Sequence, residues 1–545
     1  MSKVAHYLQE HVLGEVVTAN DTRRHFSTDC SVFSVTPTVV MYPRNENDVR
    51  KAARFSWQLA ERGRTIPITA RGLGTDQSGA ALGSGIVLVF PAHMQRISEI
   101  DGKSGLIVVE PGATYGKVQQ TLHTHGRYLP PYPASLEYST IGGAVSNNAG
   151  GEKSFKYGKT RSYVKSLRVV LANGEVIKTG RLTKRDVNRK LGLATFEGEI
   201  YRSLDKLFEE NAELLGQDPL LVSKNSAGYD LWSVRNKDGS IDLTPLLVGS
   251  QGTLGAITEV TLSTEPYAPQ TTLVAAHFDD IQIAEQAILE LRNMTDVPSA
   301  VEMIDQNLLN FVDLHNPNLL KDVVPKPFKL LTLLIELDNP NERNQKRQTK
   351  KVQKILAKYE IDYQIEREAE QQAALWKIRR SASAILAHSE GNNKALPIIE
   401  DGAVPADKFE AYLNGIYQIF SKHHLPVAVW GHAGDANLHV QPILDLEQVG
   451  DRQKVFKLMD EYYNLVIGLG GTTSGEHGDG RLRGPYLQTL YGAEVYKLFQ
   501  QTKQIFDPYN ILNPGVKIDV GLNDIKPLLR HEYDLLHLYD HLPYS

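Results

Sequence analysis

PPYPASLEYSTIGGAVSNNAGGEKSFKYGKT, residues 130–160, is the most informative stretch of this chain, because its glycines stand among serine, threonine and asparagine. Glycine loses more conformational entropy on folding than other residues, so a segment this rich in it serves an unusual backbone geometry. RGLGTDQSG at 71–79 and GSQGTLG at 249–255 have the same character. A single cluster of this kind is usually a simple turn. Three of them beside strand-like sequence favour a large phosphate-bearing cofactor, since consecutive unshielded backbone N–H groups hold anions.

Two common nucleotide-binding motifs do not fit these clusters. Gly158-Lys159-Thr160 resembles the end of a P-loop, but Lys153 stands where that motif requires glycine. No G-x-G-x-x-G sequence follows a predicted strand, which argues against the Rossmann fingerprint. The cofactor site therefore belongs to another fold.

The bulk composition describes an ordinary globular protein with more than one domain. The chain has 545 residues, 41% of them hydrophobic, and two or three domains are expected at this length. The formal net charge of −5 and the lack of a long basic block argue against binding to nucleic acid. The N-terminus lacks an apolar signal core and no apolar run is long enough to span a bilayer. We expect a cytoplasmic protein without a transmembrane segment.

Cys30 is the only cysteine, so this chain cannot form an internal disulfide, a cysteine-ligated iron–sulfur cluster or a zinc ribbon. The count suits a reducing compartment.

The pattern along the chain predicts two kinds of α+β region. Residues 45–63 form an amphipathic helix closed by Gly63, and TIPITA (65–70) and GIVLVF (85–90) are strands. Residues 166–179 are a hairpin around Asn173-Gly174. From Thr271 onward, strands at 271–278 and 329–337 alternate with helices at 281–293 and 342–359, which indicates a second α+β domain. The glycine-rich style returns after Pro426.

A metal site is one interpretation of GHAGDANLH at 431–439. Residues seven apart on a straight strand point to opposite faces, but Gly434, Asp435 and Asn437 favour a reversal that brings His432 and His439 together. With Glu476 they offer two nitrogens and one oxygen, a set that suits Zn²⁺ or Mn²⁺. The alternative is that both histidines are hydrogen-bonding loop residues.

The ordered set of motifs resembles a known family. PTVVMYPRNENDV, RGLGTDQSG, the 130–160 stretch, LVGSQGTLGAITEV, GHAGDANLH, SGEHGDGR and FDPYNILNPG are similar to those of the FAD-linked oxidases of the vanillyl-alcohol oxidase type, with a PCMH-type FAD-binding domain. The nearest branch by this resemblance contains the D-lactate, glycolate and D-2-hydroxyglutarate dehydrogenases. The resemblance spans roughly residues 25–518.

The resemblance implies an α+β fold, with a PCMH-type FAD domain of two subdomains and a ferredoxin-like cap domain. We divide the chain into an N-terminal segment (1–34), the FAD-binding domain (35–268), the cap or substrate domain (269–475), a return to the FAD domain (476–520) and a tail (521–545).

The resemblance also implies which residues bind FAD. The backbone of the first cluster would hold the pyrophosphate: Arg71, Gly72, Leu73, Gly74, Thr75, Asp76, Gln77 and Ser78. The adenosine and ribityl path would be lined by Pro133, Ser135, Thr140, Gly142, Gly143, Asn147, Gly150, Gly158, Gly252 and Ile257. Asn513 would lie near the isoalloxazine ring.

Two positions depart from the family pattern. Gln251 stands where relatives carry an acid, so any contact there is neutral. Thr75 stands where covalent FAD enzymes carry histidine, and Cys30 is far in sequence from any anchoring motif. We therefore expect non-covalent FAD.

The catalytic residues follow from the same comparison. In this family His–His–Glu sets bind a divalent metal, which favours the metal interpretation of His432, His439 and Glu476. His477 is the acid–base that accepts the substrate's hydroxyl proton, because imidazole titrates near neutral pH. Arg379 occupies the position of an arginine that binds a substrate carboxylate. Arg481 and Arg483 compete for that role, or bind a second carboxylate of a dicarboxylic substrate. The alternative for Arg379 is a solvated helix face shared with Lys377 and Arg380.

The expected function is oxidation of a D-2-hydroxy acid, D-lactate or a relative such as D-2-hydroxyglutarate, with hydride transfer to flavin N5. The alternatives are a glycolate oxidase FAD subunit, a non-redox flavoenzyme of the alkylglycerone-phosphate synthase type, and a non-enzymatic FAD-binding companion subunit. The tail docks a separate electron-transfer (iron–sulfur) protein or a second copy of the chain, or it forms a helix on its own chain; we favour the last.

Overall fold

The computed structural model describes residues 3–98, 100–321, 323–380, 382 and 392–535. Three main sheets organise this part of the chain.

The first sheet is small and mostly parallel. Its strands are β1 (Glu15–Val17), β2 (Val39–Tyr42), β3 (Ile68–Arg71) and β4 (Ile86–Val89), in the order β1-β2-β4-β3. β2 and β3 run parallel to β4, and β1 is antiparallel to β2. Helices Lys3–His11, Asn20–His25 and Glu46–Ala60 accompany it.

The predicted helix over 45–63 is confirmed. The Asn45 side chain accepts a hydrogen bond from the backbone N–H of Asp48, which caps the helix start. Gly63 follows the helix end with φ of 74°, a backbone angle that favours glycine.

The second sheet is antiparallel. Its region holds β5 (Leu106–Val109), β6 (Arg127–Tyr128), β7 (Val164–Val170), β8 (Val176–Lys178), β9 (Ala256–Ser263) and β10 (Glu265–Pro266). The sheet order is β5-β9-β7-β8, and β6 pairs separately with β10. The predicted hairpin at 166–179 is confirmed as β7–β8, with Gly174 at φ 84° in its turn. The helices here are Tyr115–His123, Ile141–Asn147, Ser154–Tyr157, Thr160–Tyr163, Lys184–Leu191, Phe196–Glu210 and Thr244–Leu247.

The third sheet has six strands. The region contains β11 (Thr272–Phe278), β12 (Ala300–Asp305), β13 (Leu331–Leu337), β14 (Asp362–Glu366), β15 (Lys394–Ala395), β16 (Val429–His432), β17 (Asn437–Val440) and β18 (Ile443–Leu444). The sheet order is β14-β11-β13-β12-β16-β17, and β15 pairs with β18. Its helices are Ile281–Arg292, Gln306–His315, Glu342–Lys358, Ala369–Arg380, Phe409–Lys422 and Val449–Gly468.

The first four strands of this sheet have the ferredoxin-like arrangement. With helices Ile281–Arg292 and Glu342–Lys358 they form a β-α-β-β-α-β unit whose order, β14-β11-β13-β12, is the split pattern of that fold. The α+β class and the type of cap are therefore confirmed, whereas the exact domain boundaries stay predictions. The periodicity did not single out β12, because the buried acids Glu302 and Asp305 interrupt its apolar pattern.

The chain then returns to the second sheet. Helices Gly480–Arg483, Leu487–Phe506 and Leu522–Ile525 follow the last strand. Leu487, Leu498 and Phe499 share one hydrophobic cluster with Tyr201 and Leu204. This packing places the 474–484 loop between the cap and the cofactor-binding subdomains.

The described part of the C-terminal tail packs on its own chain, as favoured from the sequence; it is helical at Leu522–Ile525 and, as a 3₁₀ turn, at Lys526–Leu528, and irregular after that. Leu529 bridges to Phe33, and the Tyr533 hydroxyl donates to the Cys30 carbonyl at 2.8 Å. Beyond Leu522–Ile525 the described tail contains no further α-helix. Residues 536–545, the end of this predicted segment, lie outside the described residues.

Candidate active site

One cavity of about 500 Å³ joins the glycine clusters to the cap domain. Most of the predicted cofactor residues line it: Arg71, Gly72, Leu73, Gly74, Thr75, Asp76, Gln77, Pro133, Ser135, Thr140, Gly142, Gly143, Asn147, Gly150, Gly252 and Ile257. From the cap side it is lined by Arg379, Arg380, Trp430, His432 and His439. Its size suits an organic cofactor with a small substrate.

Three predicted cofactor residues do not line this cavity. Ser78 is buried and its Oγ contacts Asp76, while Gly158 has φ of 75° and faces the Ser162 side chain. The Asn513 amide donates to the carbonyls of Ala80 and Gln251, at 2.8 Å each. In the structure Asn513 therefore ties loops together behind the cavity wall.

The glycines are required where the loops approach one another. A Cβ on Gly72 would lie 2.4 Å from Thr140 Oγ1, and one on Gly142 would lie 2.6 Å from Pro111 Cβ. A larger residue at either position would push these segments apart. The backbone cradle therefore fits a phosphate-bearing cofactor such as FAD.

Cys30 occupies a position that its place in the sequence did not indicate. It is distant from the glycine clusters along the chain, yet it lines the cavity, and its N–H donates to the Gly74 carbonyl at 3.0 Å. The loop that carries it folds back over the first cluster, which no local pattern indicates. Burial raises the pKa of its thiol to about 12, so the reactive thiolate is disfavoured.

The side chain of Gln251, the neutral residue at the family's acidic position, forms hydrogen bonds to three other segments of the chain. Its amide nitrogen donates to Asn147 Oδ1 at 3.0 Å and Ser78 Oγ at 3.2 Å, and its oxygen accepts from the Gly480 N–H at 2.8 Å. The side chain thereby links all three glycine clusters to the 474–484 loop.

A β-hairpin brings His432 and His439 together. β16 and β17 pair antiparallel, with a short 3₁₀ turn at Ala433–Asp435 and Ala436 at φ 47°. The two imidazole centroids are 5.2 Å apart. The reversal predicted from the turn-forming residues is therefore present.

The donor atoms of this pair converge on Glu476. Glu476 Oε1 lies 2.9 Å from His432 Nε2 and 3.5 Å from His439 Nε2. One ligand atom from each residue falls within a 4.8 Å group, and all three side chains are buried. Two imidazole nitrogens and a carboxylate oxygen in this arrangement fit a divalent cation.

Each imidazole is also oriented from behind by a buried glutamate. His432 Nδ1 lies 2.7 Å from Glu302 Oε1, and His439 Nδ1 lies 3.1 Å from Glu400 Oε2. A carboxylate on the remote nitrogen fixes the tautomer and directs the other nitrogen toward a metal. Sequence reasoning missed both glutamates, although the adjacent acids in IIEDGAV (398–404) were a usable signal for Glu400.

Lys224 is a second residue that sequence reasoning missed. It is fully buried, and its Nζ lies 2.8 Å from Glu476 Oε2 and 3.4 Å from Asn437 Oδ1. It therefore holds the second oxygen of Glu476 while the first faces the histidines. Together with His432 it keeps the pKa of Glu476 well below its usual range, although burial alone would raise it.

His477 lines the same cavity and stands beside the cluster. Its ring stacks on that of His439, with centroids 5.2 Å apart, and its Nε2 lies 3.7 Å from Glu476 Oε1. Its ring Nδ1 lies 2.8 Å from Glu400 Oε2, and its backbone N–H donates to Asp401 Oδ2 at 2.8 Å. Burial by itself lowers the imidazole pKa, but the charges of Glu400 and Asp401 raise it to about 10. In this arrangement of charges the imidazole holds its proton at neutral pH.

The arginines separate into those at the cavity and those behind it. Arg379 lines the cavity and is buried, with Nε and Nη2 at 2.9 and 2.7 Å from Glu302 Oε2, so the solvated alternative is wrong for it. Arg481 donates to the carbonyls of Gly515 and Leu82. Arg483 pairs with Glu400. Neither Arg481 nor Arg483 is among the described residues that line the cavity.

Comparison with known proteins decides the family. Residues 37–180 match the family described as "FAD binding domain", and residues 268–516 match "FAD linked oxidases, C-terminal domain". The glycolate oxidase subunit GlcD of Bacillus subtilis is 31% identical over 482 residues, covering 88% of each chain. This chain belongs to the PCMH-type FAD-linked oxidases.

Other relatives of this FAD-linked oxidase carry related names. The D-2-hydroxyglutarate dehydrogenase of Escherichia coli is 29% identical over 93% of this chain, which spans only 50% of that protein's length. The D-lactate dehydrogenase of Archaeoglobus fulgidus is 27% identical, with 88% of this chain and 90% of that one covered. The oxidase therefore has relatives of about its own length and relatives of about twice its length.

The solved structures confirm the fold of this oxidase. The structure of p-cresol methylhydroxylase with substrate bound has a TM-score of 0.69 at 16% identity, covering 96% of this chain and 97% of that one. At this identity the likeness concerns the fold alone. Among the described residues no helix is both long and apolar enough to cross a membrane.

Proposed function

We propose that this chain is an FAD-dependent dehydrogenase that oxidises a D-2-hydroxy acid, D-lactate or a related acid, to the 2-oxo acid. Hydride passes to flavin N5, and an external acceptor takes the electrons. The observation that carries the proposal is the His432–His439–Glu476 cluster, which faces the cavity of the glycine loops with His477 beside it. The names of the glycolate, D-2-hydroxyglutarate and D-lactate relatives support the same substrate class.

The chain's own residues divide the work of binding and proton transfer. The glycine loops would hold FAD, which when bound supplies the hydride acceptor. His432, His439 and Glu476 would hold Zn²⁺ or Mn²⁺, whose positive charge makes a nearby alcohol easier to deprotonate. Arg379 binds the substrate carboxylate, and Glu302 keeps its guanidinium in place.

His477 accepts the hydroxyl proton at Nε2 in this proposal, because Glu400 occupies its Nδ1. The imidazole must be neutral to do so, whereas Glu400 and Asp401 raise its pKa to about 10 after burial has lowered it. A divalent cation held by His432, His439 and Glu476 would oppose that rise, since a nearby like charge disfavours an imidazolium. The proton affinity of His477 would then be set by competition between these carboxylates and the cation.

FAD binding is non-covalent in this proposal. Thr75 lines the cavity at the position where covalent relatives carry histidine, and burial raises the pKa of the Cys30 thiol to about 12. Denaturation with acid should release all of the flavin into the supernatant. Flavin that stays with the precipitated chain would contradict the non-covalent assignment.

An anaerobic absorbance titration of the flavin tests the reaction. D- and L-lactate, glycolate, D-malate and D-2-hydroxyglutarate are added in turn, each with and without prior EDTA treatment. Bleaching by a D-acid that EDTA abolishes is expected. Failure of every acid to bleach a protein that retains FAD and metal would refute the proposed activity.

The His477→Ala variant tests the proton acceptor. It should keep FAD and metal, because the three proposed ligands His432, His439 and Glu476 remain, although His477 Nε2 lies 3.7 Å from Glu476 Oε1. Flavin reduction should fall by a factor of about 10² to 10⁴. Stopped-flow reduction at saturating substrate measures this, with metal content and FAD absorbance as controls. Wild-type reduction rates in the variant would remove His477 from the mechanism.

A further inference from the structure

The cavity wall beside Arg379 carries a second, differently built ion pair. Arg380 Nε lies 3.0 Å from Glu152 Oε2, and Arg380 Nη2 contacts Glu152 Oε1. Two parallel contacts of this kind form a bidentate pair, the strongest way in which a guanidinium binds a carboxylate. Both residues line the cavity that contains His477 and the metal-ligand cluster.

The pair is fixed from both sides. Glu152 is 7% exposed, and its Oε1 accepts a hydrogen bond from the Tyr132 hydroxyl at 2.7 Å. The Arg380 guanidinium lies over the Trp376 ring at 4.9 Å. Burial raises the pKa of Glu152, but Arg380 outweighs it and lowers the pKa to about 2. Glu152 is therefore ionised near neutral pH and pairs with Arg380, whose side chain is 44% exposed.

The other arginines at the cavity are engaged elsewhere. Among the described lining residues the arginines are Arg71, Arg379 and Arg380, and there is no lysine. Arg71 donates to the Thr28 carbonyl at 2.8 Å within the cofactor loop region. Arg379, bound to Glu302, is the residue proposed for the first substrate carboxylate. Among the described lining residues, Arg380 is thus the cation left for a second carboxylate, and Glu152 already occupies its Nε and Nη2.

Apolar surface lies next to the histidine cluster. The Trp430 ring centroid is 6.4 Å from that of His439, and Trp430 and Ala395 both line the cavity and are buried. A substrate group that reaches this wall meets an indole face and a methyl group. Such a wall favours a small apolar substituent over a charged one.

We propose that the site accepts 2-hydroxy monocarboxylates with a small apolar substituent, and that Glu152 determines this specificity by occupying the guanidinium of Arg380. The inference rests on the proposed function for its substrate class. Glu152 acts in two ways: it removes the cation that a second carboxylate needs, and its own charge repels that carboxylate.

The decisive variant is Glu152→Gln, which keeps the shape of the side chain and removes its charge. Equilibrium binding of pyruvate and of 2-oxoglutarate is followed by the perturbation of the flavin absorbance, and kcat/KM is measured for D-lactate and D-2-hydroxyglutarate. The wild type should bind pyruvate in preference to 2-oxoglutarate. In the variant the affinity for 2-oxoglutarate relative to pyruvate, and kcat/KM for D-2-hydroxyglutarate relative to D-lactate, should each rise by about tenfold or more.

Two further variants isolate the cause. Glu336→Gln removes another buried carboxylate from the same contact between cap and FAD domain, where it pairs with Lys153 away from the cavity lining, and should leave the ratio unchanged. In the double variant Glu152→Gln/Arg380→Gln the ratio should fall back from its value in Glu152→Gln, because the guanidinium that would bind the second carboxylate is absent.

Several results would overturn the inference. A wild-type protein that binds 2-oxoglutarate in preference to pyruvate would overturn it, even if Glu152→Gln fails to fold. An unchanged binding ratio in a folded Glu152→Gln protein would overturn it as well. A gain that persists in the double variant would remove Arg380 from the account. Failure of the proposed function gives a different pattern: no hydroxy acid reduces the flavin, while the binding ratio for the oxo acids still responds to Glu152.

Discussion

At the scale of single residues, Glu302 connects the two halves of the proposed substrate site. Its Oε1 faces His432 Nδ1 at 2.7 Å, and its Oε2 faces Arg379 Nη2 at 2.7 Å. Burial raises the pKa of this carboxyl, but His432 and Arg379 outweigh the effect and lower it. One buried charge therefore orients a proposed metal ligand and the proposed carboxylate-binding arginine together.

The Glu302→Gln variant should weaken metal binding without abolishing it. The amide is a poorer acceptor for the His432 N–H, so the imidazole is less firmly oriented and affinity should fall by about 10- to 100-fold. Chelator competition measures the metal dissociation constant directly. Glu336→Gln, the same chemical change on the neighbouring strand β13, is the matched control. Equal affinity in the two variants would show that Glu302 does not support the ligand.

At the scale of an element, the helix Gln306–His315 begins at a buried acid. The Asp305 side chain caps the helix by accepting from the Leu308 N–H at 2.8 Å, and it also accepts from the Tyr417 hydroxyl at 3.1 Å. Burial raises its pKa to about 7, against the lowering effect of the backbone N–H groups of Leu308 and Val429. The cap therefore titrates close to physiological pH.

This titration predicts that the protein loses stability as pH rises. A folded-state pKa of about 7, above the ordinary value of 3.8, means that the folded chain binds a proton that the unfolded chain has released. The contribution is complete below about pH 4 and is lost progressively up to about pH 7, by at most about 4 kcal/mol. Asp305→Asn should remove this part of the pH dependence of the thermal unfolding midpoint. An identical pH slope for variant and wild type would argue against the raised pKa.

At the scale of the whole molecule, the segments 30–33 and 529–535, far apart in sequence, meet beside the cofactor cavity. The Arg530 N–H donates to the Val32 carbonyl at 2.9 Å, and Tyr533 and Leu535 line the cavity with Cys30. Phe33, Leu529 and Tyr533 belong to the large cluster that also contains the core of the third sheet. Burial of this apolar surface stabilises the contact between the tail and the Cys30 loop.

Deletion of residues 529–545 should therefore accelerate loss of FAD. The deletion uncovers the cavity beside the first glycine cluster and exposes Phe33, so we expect FAD dissociation to quicken by a factor of about ten or more. The recovery of free-flavin fluorescence after dilution gives the rate. Tyr533→Phe, which removes the hydroxyl that donates to Cys30 and keeps the ring, should have a much smaller effect. Equal FAD retention by the deleted and full-length chains would show that the tail does not cover the cofactor.

The sequence by itself determined the features that depend on local backbone preference. Asn45 and Gly63 mark the start and the end of their helix. Asn173-Gly174 forms the turn of the β7–β8 hairpin, and the residues between His432 and His439 reverse the chain. These signals are local because capping and turn geometry involve residues only a few positions apart. The motif order was equally sufficient to predict the family.

Only the tertiary structure decided which side chains surround the site. Glu302 reaches His432 across 130 positions, and Lys224 reaches Glu476 across 252. Cys30 and Tyr533 meet across 503 positions at the cavity. No local pattern encodes such contacts, because they arise when separate sheets pack and buried charges must find partners. The glycine loops and the histidine hairpin were therefore predictable, whereas the carboxylates and cations that orient them were not.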